Sequence, residues 1–258
     1  MRHIKRLVWL TLMLVLIPGA ARGEQRQLTV AAAADMTFAL KEITSGFEQA
    51  TGAHVVLSFG STGMLAAQIR QGAPFDLFFA ADASVIDTLA KEGFVAPDSV
   101  TPYARGAIVL AARADAGFKL TGLAGLLRPE ARWVALPHPD HAPYGRAGKE
   151  ALIAAGVWEG VKDKVVYGEN VAQAVKFIDA GDAGAGIIAL AVAGSPRLSY
   201  VVIDPSLYKP IEQAAGIVKA SKEYALCREF LKYAAGPRGM EVLKKYGFGP
   251  PGTHGADR

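Results

Sequence analysis

Disulfide chemistry is closed to this chain, because one of its 258 residues is cysteine, Cys227, and a lone thiol cannot form an internal bridge. Long apolar runs are also missing. The apolar run at the start, Leu7 to Ile17, is about 11 residues, short of the roughly 20 that span a bilayer. Charged residues make up 20% and hydrophobic residues 51%, globular proportions that exclude a disordered or collagen-like chain. A Gly-x-Ser-x-Gly elbow, a Walker or dinucleotide glycine loop and a His-Glu-x-x-His helix are all absent, so no ready-made catalytic constellation is present.

An excess of one charge is absent too, once the amino terminus is set apart. Met1-Arg-His-Ile-Lys-Arg6, the apolar run and then Pro18-Gly-Ala-Ala-Arg-Gly23 follow the positive, apolar, small-residue order of a secretory leader. We assign residues 1–23 to a cleaved signal peptide, with Ala21 at the minus-three position. The leader holds Arg2, Lys5, Arg6 and Arg22 and no acid, so the formal +4 falls to 24 basic against 24 acidic side chains. Nucleic-acid binding needs clustered Lys and Arg and is not expected. No cysteine follows the leader to take a lipid anchor, so the expectation is an exported protein free in the periplasm.

What is present is alternation. Strands are expected at Leu28 to Ala33, His54 to Phe59 and Asp76 to Ala80, with helices at Thr37 to Thr51, Met64 to Gln71 and Ala83 to Glu92. A Pro-containing stretch, Val95 to Pro102, leads into a further expected strand, Gly106 to Arg113. The pattern then restarts with strands at Trp133 to Leu136 and Lys164 to Tyr167, helices at Gly145 to Ala155 and Val171 to Ala180, and a strand or strand-to-helix turn at Ala185 to Leu190. Leu198 to Ile203 and Ala214 to Ala220 read as strands, and helices Lys222 to Ala234 and Arg238 to Tyr246 close the chain around Gly236-Pro237. This is an α/β fold in two lobes: residues 24–105 plus 212–258, and residues 106–211. Two crossings, near Arg105 and near Glu212, put a cleft between them, where strand carboxyl ends bind ligands.

Four strand-to-helix turns carry the candidate chemistry. At Ala31-Ala-Ala-Ala34-Asp35, small residues leave room before a helix start, whose free N–H groups and partial positive charge hold anions without Lys or Arg. Asp35 also reads as a simple helix cap. Ser58-Phe-Gly-Ser61-Thr62-Gly63 adds two hydroxyls beside glycines. Pro137 to Arg146 carries His138, Asp140, His141 and Tyr144 without the spacing of a zinc site. Tyr167-Gly-Glu-Asn170-Val171 starts the last of the four helices. Cys227 lies in an apolar helical stripe with Tyr224, Leu226, Phe230 and Leu231, and reads as a buried, inert thiol.

Ser58-Phe-Gly-Ser-Thr-Gly63, Gln68-Ile-Arg-Gln-Gly-Ala-Pro-Phe-Asp76-Leu-Phe-Phe-Ala-Ala-Asp82, Gly145 to Leu152 and Lys245-Tyr-Gly-Phe248 resemble the periplasmic molybdate-binding proteins of ABC importers. The resemblance implies a two-lobed solute-binding protein of type II, with two mixed, largely parallel sheets and a hinge of two crossing segments. It implies molybdate or tungstate as cargo, no resident cofactor, an inner-membrane permease as partner, and a monomer without catalytic activity. Carried over by position, a serine at the first helix start falls on Asp35 and a second hydroxyl on Thr62, beside Ser61. Backbone donors fall near Tyr144 and at Val171, and a tyrosine that often completes the shell falls on Ala189. Thr62 and Val171 would reach the metal through the oxyanion's oxygens alone.

Two of those positions depart from the family pattern. Asp35 brings a carboxylate toward a dianion, so it is expected to turn away and cap its helix, and Tyr144 is expected to supply the hydroxyl that Ala189 lacks. Asp35 and Ala189 also keep open a different anion or a small organic cargo. A hydrolase built on Asp140 and His141 is the rival from another class.

Overall fold

The computed structural model describes residues 26–252, so the assigned leader lies outside the described residues. Strand β1 (Gln27–Ala33) runs through a short 3-10 turn, Ala34–Met36, into helix α1 (Thr37–Thr51). There follow β2 (His54–Gly60), α2 (Thr62–Arg70), β3 (Leu77–Ala80), α3 (Ala83–Lys91) and β4 (Thr101–Gly106). The second unit holds β5 (Ile108–Arg113), β6 (Val134–Pro137), α4 (Pro143–Ala154), the one-turn α5 (Trp158–Val161), β7 (Val165–Gly168), α6 (Val171–Ala180), β8 (Ala185–Ala189) and β9 (Leu198–Val202). The chain returns through β10 (Ile211–Ile217) and ends in α7 (Tyr224–Ala234) and α8 (Pro237–Lys245).

The strands form two five-stranded sheets, ordered β2-β1-β3-β10-β4 and β7-β6-β8-β5-β9. In the first, β1 is parallel to β2 and β3, while β10 is antiparallel to β3 and β4. The second repeats the arrangement: β6 is parallel to β7 and β8, and β5 is antiparallel to β8 and β9. Each sheet therefore has a single reversed strand, and it is the one through which the chain enters from the other sheet. The α/β class and the two mixed sheets are as the sequence implies.

Helices cover both faces of the parallel strands, which is why β3 and the Val30 to Ala33 part of β1 read as unbroken apolar runs instead of alternating. On one face of the first sheet Phe47, Phe79, Tyr103 and Phe230 interlock edge-to-face, with Phe47 and Phe230 centroids 5.0 Å apart. Cys227 is buried in this cluster, and burial pushes its thiol up to about 12. The second sheet encloses its own core, built on Val109, Leu136, Leu152, Ile178 and Ile187.

The expected strand Gly106 to Arg113 begins at Ile108, and a further strand, β4, precedes it where a Pro-containing crossing was expected. Thr101–Gly106 pairs with β10 in the first sheet and Ile108–Arg113 with β8 and β9 in the second, leaving Ala107 between them. Pro102 and the exposed Arg105 make β4 read as a connection, although Tyr103 and Ala104 are buried. Strand β10 likewise begins at Ile211, three residues before the expected Ala214, which brings Gln213 into the sheet.

Candidate functional site

Parallel β1 and β2 end side by side, Ala33 opposite Gly60, so the turn at Ala34–Met36 and the start of α2 emerge from the same edge. Parallel β6 and β7 do the same in the second sheet, Pro137 opposite Gly168, releasing the loop to α4 and the start of α6. These two edges face each other across a closed cleft. The Gly63 N–H donates to the His141 carbonyl at 2.9 Å, and Arg146 pairs with Asp82 across the same gap. Gly63 is required there, since a Cβ would lie 2.8 Å from that of His141.

Ser61 caps α2, its Oγ accepting from the Met64 N–H at 3.4 Å and lying 3.1 Å from His141 Nδ1. Burial and the neighbouring His138 hold the His141 imidazole below its usual value. Thr62 is buried, and its Oγ1 accepts from the Ala81 N–H at 3.1 Å, leaving the hydroxyl proton to donate elsewhere. Asn170 caps α6 by accepting from Ala172 and Gln173 at 3.0 and 3.1 Å. The Val171 N–H, at the first helical position, stays outside the intrahelical ladder, as does that of Tyr144 in α4. Helix α6 packs against the Ala34–Met36 turn.

Asp35 departs from its expected role. No side-chain cap is made at that turn or at the start of α1. Instead Oδ2 accepts from the Tyr144 hydroxyl and from Gln213 Nε2, both at 2.8 Å. Gln213 Nε2 also lies 2.8 Å from the Tyr144 oxygen, and the Tyr103 hydroxyl donates to Gln213 Oε1 at 2.6 Å. One network thus ties a turn of the first sheet, a helix of the second and the returning strand β10. Gly106 lies beneath it: a Cβ there would be 2.9 Å from Gln213 Nε2 and would collide with the Tyr144 hydroxyl.

Carboxylate capping loses because the carboxyl is 1% exposed and those donors reach it first. Burial raises the Asp35 carboxyl above its ordinary value, against the lowering effect of Gln213, Tyr144 and the Asp35 and Met36 backbone N–H groups. Tyr144 therefore spends its proton on Asp35, which corrects its expected role as the substitute for the hydroxyl missing at Ala189. Ala189 ends β8 opposite Ile108, fully buried and without a polar side-chain atom, and the turn after it packs on Ala34–Met36.

The hydrolase rival loses its pair. The Asp140 side chain is 83% exposed, with its Oδ2 3.8 Å from His138 Nδ1, while His141 turns its Nδ1 toward Ser61. The two imidazoles stack at 4.9 Å, and His138 also meets Tyr167 at 4.8 Å. Sequence reasoning missed Gln213, Tyr103 and Gly106. The signal available was a lone amide, Gln213, heading an otherwise apolar run.

Residues 28–249 match the family model for bacterial extracellular solute-binding proteins. The chain is 35% identical to the molybdate-binding protein ModA of Rhodobacter capsulatus over 240 residues, 93% of each chain. It is 36% identical to ModA of Azotobacter vinelandii over 234 residues, 89% of this chain and 92% of that one. The solved structure of the Azotobacter vinelandii periplasmic molybdate-binding protein superposes with a TM-score of 0.81 at 30% identity, covering 87% of this chain and all of the other. The chain belongs to the bacterial extracellular solute-binding protein family, in the branch that contains the ModA proteins.

Proposed function

We propose that this protein is the periplasmic binding component of an ABC importer and that it captures molybdate or tungstate between its lobes for delivery to an inner-membrane permease. The observation that carries the reading is the convergence of uncharged donors from both sheets, in a chain whose close relatives are named molybdate-binding proteins. The Ser61 and Thr62 hydroxyls, with the N–H groups at Tyr144 and Val171, supply donors to the oxyanion. Charge-assisted hydrogen bonds of this kind are each worth about 1.5–3 kcal/mol. A rigid ring of such donors selects by size, and the shorter bonds of sulfate leave it poorly contacted.

The lobes comprise residues 24–105 with 212–258, and 106–211, behind a leader of residues 1–23 removed on export. The protein works as a monomer and performs capture without chemistry. A ligand held by both lobes favours the closed form by its greater affinity for it. Calorimetric titration of the purified protein with molybdate, tungstate, sulfate and phosphate tests this. Tight binding of the first two is expected, and their failure to bind rejects the reading.

The carboxyl of Asp35 favours the second reading, a different anion or a small organic cargo. An ionised carboxylate about 4 Å from a dianion would cost on the order of 4 kcal/mol per unit charge at the effective dielectric of a protein site. The same titrations with small organic acids and their neutral analogues separate the two.

A further inference from the structure

We propose that Asp35 engages the bound oxyanion through a proton: in the closed cleft the carboxyl is an acid that donates from Oδ1 to the ligand, so capture takes up one proton per site. This rests on the reading of the cleft as an oxyanion site and adds a proton linkage to it.

Oδ2 is saturated by the Tyr144 hydroxyl and the Gln213 amide. The second Gln213 proton goes to the Tyr144 oxygen, and the Tyr103 proton goes to Gln213 Oε1. Every side-chain proton of the network is thereby placed. The backbone N–H groups of Asp35 and Met36 lie close enough to favour the carboxylate, but neither meets Oδ1 in hydrogen-bond geometry, so Oδ1 is buried without a partner. A buried carboxylate oxygen without a donor is among the costliest groups a fold can hold. A proton on it removes the charge, and the hydroxyl so formed needs an acceptor.

Among the described residues the surroundings supply no counter-ion. The groups facing Asp35 are the Tyr144 phenol from α4, the Tyr103 phenol from β4 and the Gln213 amide from β10. The turn Leu190–Val192 brings apolar side chains, the first turn of α1 holds no ionisable side chain, and α6 has none before Lys176. Both tyrosines are held protonated well above their ordinary range by burial first and by Asp35 second. Arg146, across the cleft, is committed to Asp82. An incoming oxyanion is then the acceptor that the Oδ1 proton lacks, and its negative charge raises the carboxyl's hold on that proton further. When the lobes part, Tyr144 leaves with its lobe and the carboxyl meets water, which favours its ionised form. The proton therefore arrives from solvent on capture and returns to it on release.

One consequence concerns selectivity. A carboxylic acid donates best to the more basic oxyanion, so sulfate, the conjugate base of a strong acid, is a poor acceptor at this position.

Calorimetry of the purified protein with molybdate at pH 7.5, in buffers of different ionisation enthalpy, reads the proton directly. Uptake of about one proton per site is expected for the wild type, with a dissociation constant that rises by up to tenfold per pH unit from pH 6.5 to 8.5. Asp35→Asn, isosteric with the protonated acid, is expected to bind with proton uptake near zero and an affinity flat across that range. Tight molybdate binding with no proton uptake by the wild type, or undiminished uptake by Asp35→Asn, overturns the linkage and leaves the cargo assignment standing. Absence of binding to both molybdate and tungstate overturns both. The wild-type slope decides the matter even where the variant does not fold.

Discussion

The Tyr144 hydroxyl donates to Asp35 Oδ2 at 2.8 Å, and the two residues are carried by different sheets. A single buried hydrogen bond thus reports whether the cleft is shut. Gln213 holds both partners from the strand that returns between the sheets, so the hinge and the latch are one assembly.

Removing the latch from the helix side should loosen closure without emptying the donor ring. Tyr144→Phe keeps the ring and its backbone N–H but leaves Asp35 Oδ2 with Gln213 alone. The loss of a bond to a buried acid is worth about 1–3 kcal/mol, so the molybdate dissociation constant should rise roughly 5- to 150-fold. An affinity equal to wild type would show that the bond does not contribute to closure.

The crossing residue offers a test that leaves every polar group in place. Gly106→Ala puts a methyl group where the Tyr144 hydroxyl and the Gln213 amide sit. Overpacking of this kind costs about 1–3 kcal/mol. Both the melting temperature and the affinity should fall. A variant that melts and binds like wild type would mean that the network yields freely.

Thr62 has two jobs that can be separated. Its oxygen accepts from the Ala81 N–H, and its proton is free for a ligand. Thr62→Ala should weaken oxyanion binding by about 1–3 kcal/mol and also lower stability, because a buried N–H loses its acceptor. Thr62→Ser keeps the hydroxyl and should restore most of both. Titration calorimetry and thermal melts on the pair check this, and unchanged affinity in Thr62→Ala would remove the residue from the site.

Cys227 should be silent in the folded protein. Its thiol, pushed up to about 12 by burial first, stays neutral at pH 8. Thiol reagents should label the native chain slowly and the urea-unfolded chain quickly. The folded thiol holds its proton while an unfolded thiol gives it up from about pH 9, so this contribution to stability is present below that pH and declines as pH rises toward 12. Fast native labelling would contradict the burial.

Much of the fold was legible because the parallel strands are short apolar runs bounded by helix starts, as at Thr29 to Ala33 and Leu77 to Ala80. The turns at Ser61 and Asn170 were legible as helix starts for the same reason, and both side chains cap the helices there. The crossing near Arg105 was legible too, and the sheets change at Ala107, but β4 itself was not, because Pro102 and the exposed Arg105 break its apolar pattern. The role of Asp35 was also hidden. A cap is decided by neighbours in sequence, whereas its actual partners, Tyr144 and Gln213, lie 109 and 178 residues away. Similarly, Asp140 and His141 adjoin in sequence but part in space, since His141 faces Ser61 across the cleft.

The central claim is that an anion is held between two lobes by uncharged donors. A crystal structure of the protein grown with tungstate, whose metal scatters strongly enough to be located without ambiguity, tests it most directly. The account predicts the tungsten inside the cleft, among Asp35, Ser61, Thr62, the Tyr144 N–H and the Val171 N–H, with no Lys or Arg nitrogen touching the oxyanion. Tungstate seated on surface lysines or arginines, with the cleft empty, would contradict it.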